Sequence, residues 1–162
     1  MKILMHICCG PCSIYPLQIL RAQGFEVTGY FYNPNIHPYR EYLQRSQTLK
    51  NYAQSVDLQV IWSPGYPLEE FLRQTAFMDK DRCVYCYKER LQAAIGVAMK
   101  NHYDVFTTTL LYSKFQNHEL ISEIAQDLGR KAGIDFYYQD FRLGWLEGVK
   151  VSKEMGLYRQ PY

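Results

Sequence analysis

Five times along this 162-residue chain, a short run of aliphatic, β-branched and aromatic residues gives way to a segment of helical periodicity. The spacing predicts strands over residues 2–7, 26–33, 58–63, 105–111 and 136–141, and helices over 14–23, 40–55, 68–75, 83–100, 117–131 and 143–155. Punctuation agrees with these limits. Gly24 and Gly156 close the first and last helices, Pro34 stops the second strand, and the Asn117 side chain can cap the free amides of the helix that follows it. Strands joined by helices run parallel, and a parallel sheet is covered on both faces.

The expected architecture is α/β: a single doubly wound domain over residues 1–162, with a five-stranded parallel sheet in the order 3-2-1-4-5, Rossmann-like or HUP-like. A chain of this size buries roughly 70% of the surface its unfolded form exposes, enough for a real core. Such sheets hold ligands beyond the carboxyl ends of their strands where the order reverses, here between strands 1 and 4.

The string HICCGPCS, residues 6–13, falls at that point. Its Cys9-Gly10-Pro11-Cys12 portion has the spacing of a thioredoxin-type dithiol. A thioredoxin fold, however, reaches its dithiol after an earlier strand, helix and strand, and Cys8 has no place in it. A phosphate cradle also fits poorly, because the loop holds only Gly10 and Pro11 has no N–H to donate; ATP is not expected here.

A second pair, Cys83-Val84-Tyr85-Cys86, opens a helix whose start falls near the same sheet edge. Two dithiols and one extra thiol would then converge. Thiolates repel one another, so gathering several in one pocket requires a cation, as zinc or an iron–sulfur core provides. Helix N-termini beside Cys12 and Cys83 would favour the deprotonated sulfurs. Zinc and a four-iron cluster each close with four ligands, so a fifth cysteine implies an additional metal beside the cluster or a catalytic thiol.

Charge is nearly balanced, with 18 Lys+Arg against 16 Asp+Glu, so a nucleic-acid partner would need a local basic face. Arg40, Arg45, Lys80, Arg82, Lys88 and Lys114 follow predicted strand ends, where they could meet phosphates. Of the 15 tyrosines, Tyr30, Tyr32, Tyr39 and Tyr42 fall near the expected pocket, though core packing is the commoner use of any one. No apolar run reaches the roughly 18 residues of a membrane helix, and the N-terminus lacks a basic segment leading into a long apolar stretch. A cytoplasmic protein without a membrane partner is expected, in which clustered reduced thiols serve metal or redox chemistry.

His6, His37, His102 and His118 are scattered, and a lone histidine is more often structural than catalytic; His37 and His118 fall in connections on the predicted active edge. Asp79 and Asp81, just before Cys83, can carry protons or bind metal, against the plainer reading of a solvated loop.

The strings HICCGPCS, GYFYNPNIHPYREYLQR, DRCVYCYKERL, TTTLLYSKFQNHELI and EGVKVSKEMGLYRQ, in this order over nearly the whole chain, resemble the QueH-type epoxyqueuosine reductase family. The resemblance implies reduction of the epoxide of epoxyqueuosine at the wobble position of a tRNA anticodon, with electrons from a donor the sequence does not identify. It also implies a 4Fe-4S cluster and an adjacent metal ion, iron or zinc. Carried over residue by residue, it puts Cys8, Cys9, Cys83 and Cys86 in the cluster and metal site, and Cys12 where the family supplies a further metal ligand. Cys12, Asp81 and His118 are the candidate catalytic groups. Family chains commonly continue past the Leu-Tyr-Arg-Gln segment into another cysteine-containing stretch, whereas this sequence stops at Tyr162; if that stretch is absent, so is its contribution to the site or substrate. A different class remains as the alternative, a zinc-stabilised nucleic-acid-binding module without catalysis. Colour separates the two, since zinc thiolate is colourless and iron–sulfur proteins are brown.

Overall fold

An apolar run that does not alternate with polar residues needs cover on both faces, and β1 (Lys2–Ile7) is such a run: it is buried from Ile3 through Ile7. In the computed structural model, which describes residues 1–66, 68–76, 78 and 82–159, it is the centre of a five-stranded sheet. β2 (Glu26–Phe31) and β4 (Val105–Thr108) flank it, and β3 (Val60–Trp62) and β5 (Asp135–Phe136) form the edges. Every pairing is parallel and the order is β3-β2-β1-β4-β5, as the alternation predicts. The register sets Ile7 beside Phe31 and His6 beside Thr108.

The helices are α1 (Gly10–Ala22), α2 (Tyr39–Ser55), α3 (Leu68–Thr75), α4 (Arg82–Lys100), α5 (His118–Ala132) and α6 (Trp145–Glu154). α1 packs with α2 and α6, while α4 packs with α5 and lies against β1 and β4, which covers the sheet from both sides. Phe31, Leu49, Leu91, Phe106, Ile121 and Phe141 fill the core between these layers. α6 comes close enough to α1 and to the turn after β4 that two of its neighbouring positions must be glycine: a Cβ at Gly144 would enter the Tyr15 ring, and one at Gly148 would meet the Tyr112 hydroxyl.

Several boundaries differ from the sequence expectation, and three of the differences have a clear local reason. The fourth strand stops at Thr108 instead of running to 111, because Thr108 Oγ1 accepts from the Leu110 N–H at 3.1 Å and turns the chain into a 3-10 turn, Thr109–Leu111. The fifth strand is only Asp135–Phe136. The Tyr137 N–H still reaches the Phe106 carbonyl at 2.8 Å, after which Asp140 caps a second 3-10 turn, Phe141–Gly144. The first helix begins at Gly10, not at 14, since Pro11 is suited to a first turn in which its missing N–H goes unused. Among the described residues, no helix is long and apolar enough to cross a membrane.

Candidate metal centre

The last residues of β1 and the first turn of α1 create the site. Cys8 follows the strand directly, Cys9 is the N-cap of α1, and Cys12 sits three residues on, where helical geometry returns it to the same side. The Sγ atoms of Cys8, Cys9 and Cys12 lie within 4.8 Å of one another, and Cys9 Sγ and Cys12 Sγ share a hydrogen bond at 2.8 Å. Cys9 is buried and the other two are half-buried.

The turn is held from beneath. The fully buried Thr109 accepts from the Cys8 N–H at 3.0 Å, and its hydroxyl donates to Cys8 Sγ at 3.3 Å. His6, also fully buried, has Nε2 3.1 Å from the Tyr32 carbonyl and Nδ1 2.9 Å from Thr108 Oγ1. A carbonyl only accepts, so Nε2 carries the proton and Nδ1 accepts from the Thr108 hydroxyl. Burial first, and then the Arg90 charge, hold the His6 pKa down to about 4. The ring is therefore a neutral strut.

The three thiols do not share charge equally. Hydrogen bonds with Cys12 and then Cys9, helped by Thr109, outweigh burial and bring Cys8 well below the ordinary thiol range. The hydrogen bond with Cys8, then that with Cys9, and burial push Cys12 well above it. For Cys9 the hydrogen bond with Cys12 favours the thiolate, but Cys8 and burial overcome it and the thiol is pushed up. Without a cation, negative charge in the trio thus gathers on Cys8, and Cys9 and Cys12 hold their protons more tightly. A soft metal ion that replaced those protons would satisfy all three sulfurs, so the donor set fits a thiolate-bound metal or cluster.

Cys83 and Cys86 lie on the first two turns of α4, Cys83 exposed and Cys86 half-buried. Burial raises the Cys86 thiol, and Arg90 opposes it. Arg90 is itself buried, and Cys8, Cys86 and Cys83 are among the groups whose charge it feels. The two cysteine regions thus face one guanidinium, while the compact sulfur group comprises Cys8, Cys9 and Cys12.

A cavity of about 620 Å³ opens over the trio. Its basic lining is Arg45, Arg90, Lys114 and Arg159, and its aromatic lining is Tyr112, Phe115 and Trp145. Tyr112 and Trp145 are stacked at 5.2 Å, Phe115 meets Trp145 edge-on at 5.6 Å, and Lys114 Nζ lies 5.0 Å from the Trp145 ring. Arg45 pairs with Glu41 at 2.8 Å, and Tyr158 donates to the same carboxylate at 2.7 Å, which ties the end of the chain to α2.

The other sequence candidates are dispersed. His118 opens α5, with Nε2 2.8 Å from the Tyr138 hydroxyl, and is not among the residues lining the cavity. Asp79, Lys80 and Asp81 lie outside the described residues. Tyr30 is core, and the Tyr32 hydroxyl donates to Glu89 at 2.9 Å. Tyr39 and Tyr42 join Tyr66 in a separate aromatic cluster, with Tyr39 52% exposed. Of the basic candidates, Arg45 and Lys114 reach the cavity, whereas Arg82 donates to the Thr75 carbonyl at 3.3 Å and Arg40 and Lys88 are exposed. Arg90, Arg159, Thr109 and Trp145 are site residues that sequence reasoning passed over. Only Arg90 carried a readable signal, since it falls seven and four residues after Cys83 and Cys86, on their helix face.

Fold and site together define a doubly wound α/β protein with a thiol cluster at its topological switch point, the crevice where such sheets bind ligands. The chain belongs to the epoxyqueuosine reductase QueH family, a family of oxidoreductases, whose profile matches residues 3–162. Epoxyqueuosine reductase QueH of Thermotoga maritima is 35% identical over 99% of this chain and 86% of its own length. That of Dehalococcoides mccartyi is 31% identical, with 99% and 88% covered. Two solved structures share the fold at a TM-score of 0.64. One is a predicted subunit of tRNA methyltransferase from Methanocaldococcus jannaschii (14% identity, 95% of this chain and 75% of that one). The other is the U34-tRNA thiolase NcsA from Methanococcus maripaludis with its [4Fe-4S] cluster (12%, 99% and 58%).

Proposed function

We propose that this chain reduces the epoxide of epoxyqueuosine at the wobble position of a tRNA anticodon, using a 4Fe-4S cluster and an adjacent metal ion held by its cysteines. The observation that carries the reading is the convergence of three Sγ atoms within 4.8 Å inside a cavity whose lining also includes four basic and three aromatic side chains. Family membership supports the substrate. Cys8, Cys9, Cys83 and Cys86 would hold the cluster and metal site, and Cys12 the second metal. When bound, a four-iron cluster supplies electrons singly and the neighbouring ion supplies Lewis acidity.

The remaining work falls to side chains. Removing an epoxide oxygen as water takes two electrons and two protons. Trp145, with Tyr112 and Phe115, offers a platform on which an unstacked base can lie. Lys114 and Arg159 at the cavity wall suit the flanking phosphates. Asp81 is the candidate proton carrier nearest Cys83 in the chain. His118 would have to relay a proton through Tyr138, whose hydroxyl it meets.

The test is anaerobic purification with iron, zinc and acid-labile sulfide analysis, followed by reaction with dithionite and tRNA bearing epoxyqueuosine. A brown protein that converts the epoxide is expected. A colourless preparation with stoichiometric zinc and no sulfide would instead favour the zinc-stabilised binding module.

A further inference from the structure

Arg90 is a buried cation with no acidic partner among the described residues. It is 5% exposed, and its Nε donates to the Cys86 carbonyl at 3.1 Å, which fixes the direction of the guanidinium. The ion pairs of the described residues leave it out, and the neighbouring Glu89 accepts from Tyr32. Its aromatic contact with Tyr87 at 5.7 Å supplies no net charge. A buried charge persists only where a counter-charge or a full set of hydrogen bonds offsets its lost hydration. The anionic candidates that Arg90 faces are sulfurs: Cys8 across the cavity, and Cys86 and Cys83 along its own helix face.

We infer that Arg90 is the fixed counter-charge of the thiolate-bound centre, offsetting the repulsion among its sulfurs and setting its reduction potential. The inference rests on the cysteines holding a metal or cluster. A cation beside such a centre stabilises the reduced form, which carries one more negative charge, so removing it makes reduction harder. Arg90 would then be a tuning residue that acts through the sulfurs, not a group that touches substrate.

The experiment compares wild type, Arg90→Lys and Arg90→Met by redox titration of the anaerobically loaded proteins, and by thermal melting and anticodon stem-loop binding of the metal-free ones. Arg90→Met should lower the reduced-to-oxidised ratio at fixed potential about tenfold, a shift of about 59 mV to more negative values for one electron. Arg90→Lys should restore most of it. The metal-free Arg90→Met chain should melt at or above the wild-type temperature, because without the centre Cys8 alone offsets little of the lost hydration of a buried cation. A merely structural arginine predicts the reverse, a lowered metal-free melting temperature with an unmoved potential, and that result overturns the inference. So does a loss of binding to an unmodified stem-loop with the potential unchanged, which would assign Arg90 to a phosphate. If wild type takes up no cluster, the cluster reading fails separately and zinc alone becomes the probe. Weaker zinc binding by Arg90→Met than by wild type then keeps the inference, and equal binding overturns it.

Discussion

Cys8, Cys9 and Cys12 sit in a turn that the fold holds from several sides, whereas Cys83 and Cys86 ride the first turns of a helix. In the first region a strand end, an N-cap and the Thr109 hydroxyl each fix a sulfur or its backbone, and the trio is already compact before any ion is bound. In the second, Cys83 is exposed, and α4 places the pair without closing it. The difference teaches where preorganisation is useful. Three thiols held within one coordination sphere set the geometry of a centre, and a less constrained pair can complete it from the side. Arg90 links the two regions, since it shares a helix face with the pair and a cavity with the trio.

The strongest way to break that comparison is substitution in both regions. Cys8→Ser should abolish cluster retention and lower epoxide reduction by at least about 100-fold, while circular dichroism shows the fold intact, because the sheet core does not depend on the sulfur. Cys86→Ser should cost iron as well. If Cys86→Ser instead retains full iron, sulfide and turnover, the second region is no part of the centre. Cys12→Ser divides the trio itself: visible absorption should remain while turnover fails, if this sulfur serves only the second metal.

Next in size is the strut under the first region. Folded His6 titrates near 4 against the usual 6.5, lowered by burial and then by Arg90. The unfolded chain takes up this proton as the pH falls below 6.5, and the folded chain resists it until about 4. Stability present above that window is therefore lost progressively as the pH falls through it, by about 3 kcal/mol in all. Urea midpoints of the metal-free protein across the window, beside those of His6→Gln, measure this. An equal pH slope in the two proteins would remove His6 from the account.

Thr109→Val keeps the shape but removes the hydroxyl that serves both the Cys8 N–H and its sulfur. It should cost about 1–3 kcal/mol in denaturant unfolding and about 10–100-fold in metal affinity. Unchanged metal affinity would show that the first region needs no support from the turn after β4. The smallest effect on the centre itself is expected from Trp145→Ala. This change should leave iron and sulfide untouched while weakening anticodon stem-loop binding by about 1–3 kcal/mol, read by fluorescence anisotropy. Iron loss in that variant would mean that the aromatic wall supports the centre as well.

By itself, the sequence determined the parallel sheet, its strand order, the position of Cys8, Cys9 and Cys12 at the strand reversal, and the family. Those properties are local or nearly so: periodicity of two or 3.6, a proline in a first turn, cysteines spaced within one loop. The tertiary structure decided which distant groups finish the site. Thr109 meets Cys8 from 101 positions away, and Tyr158 reaches Glu41 across 117. Trp145 supplies the aromatic cavity wall, while Tyr30 and Tyr32, which fall near the expected pocket in the sequence, turn to the core and to Glu89. It also shortened the last two strands, where Thr108 and Asp140 side chains compete with the sheet for backbone amides. Pairings of this kind arise only when helices settle onto a twisted sheet. The physical reason they escape a linear reading is that packing, not propensity, selects which of several equivalent polar or aromatic side chains faces the crevice.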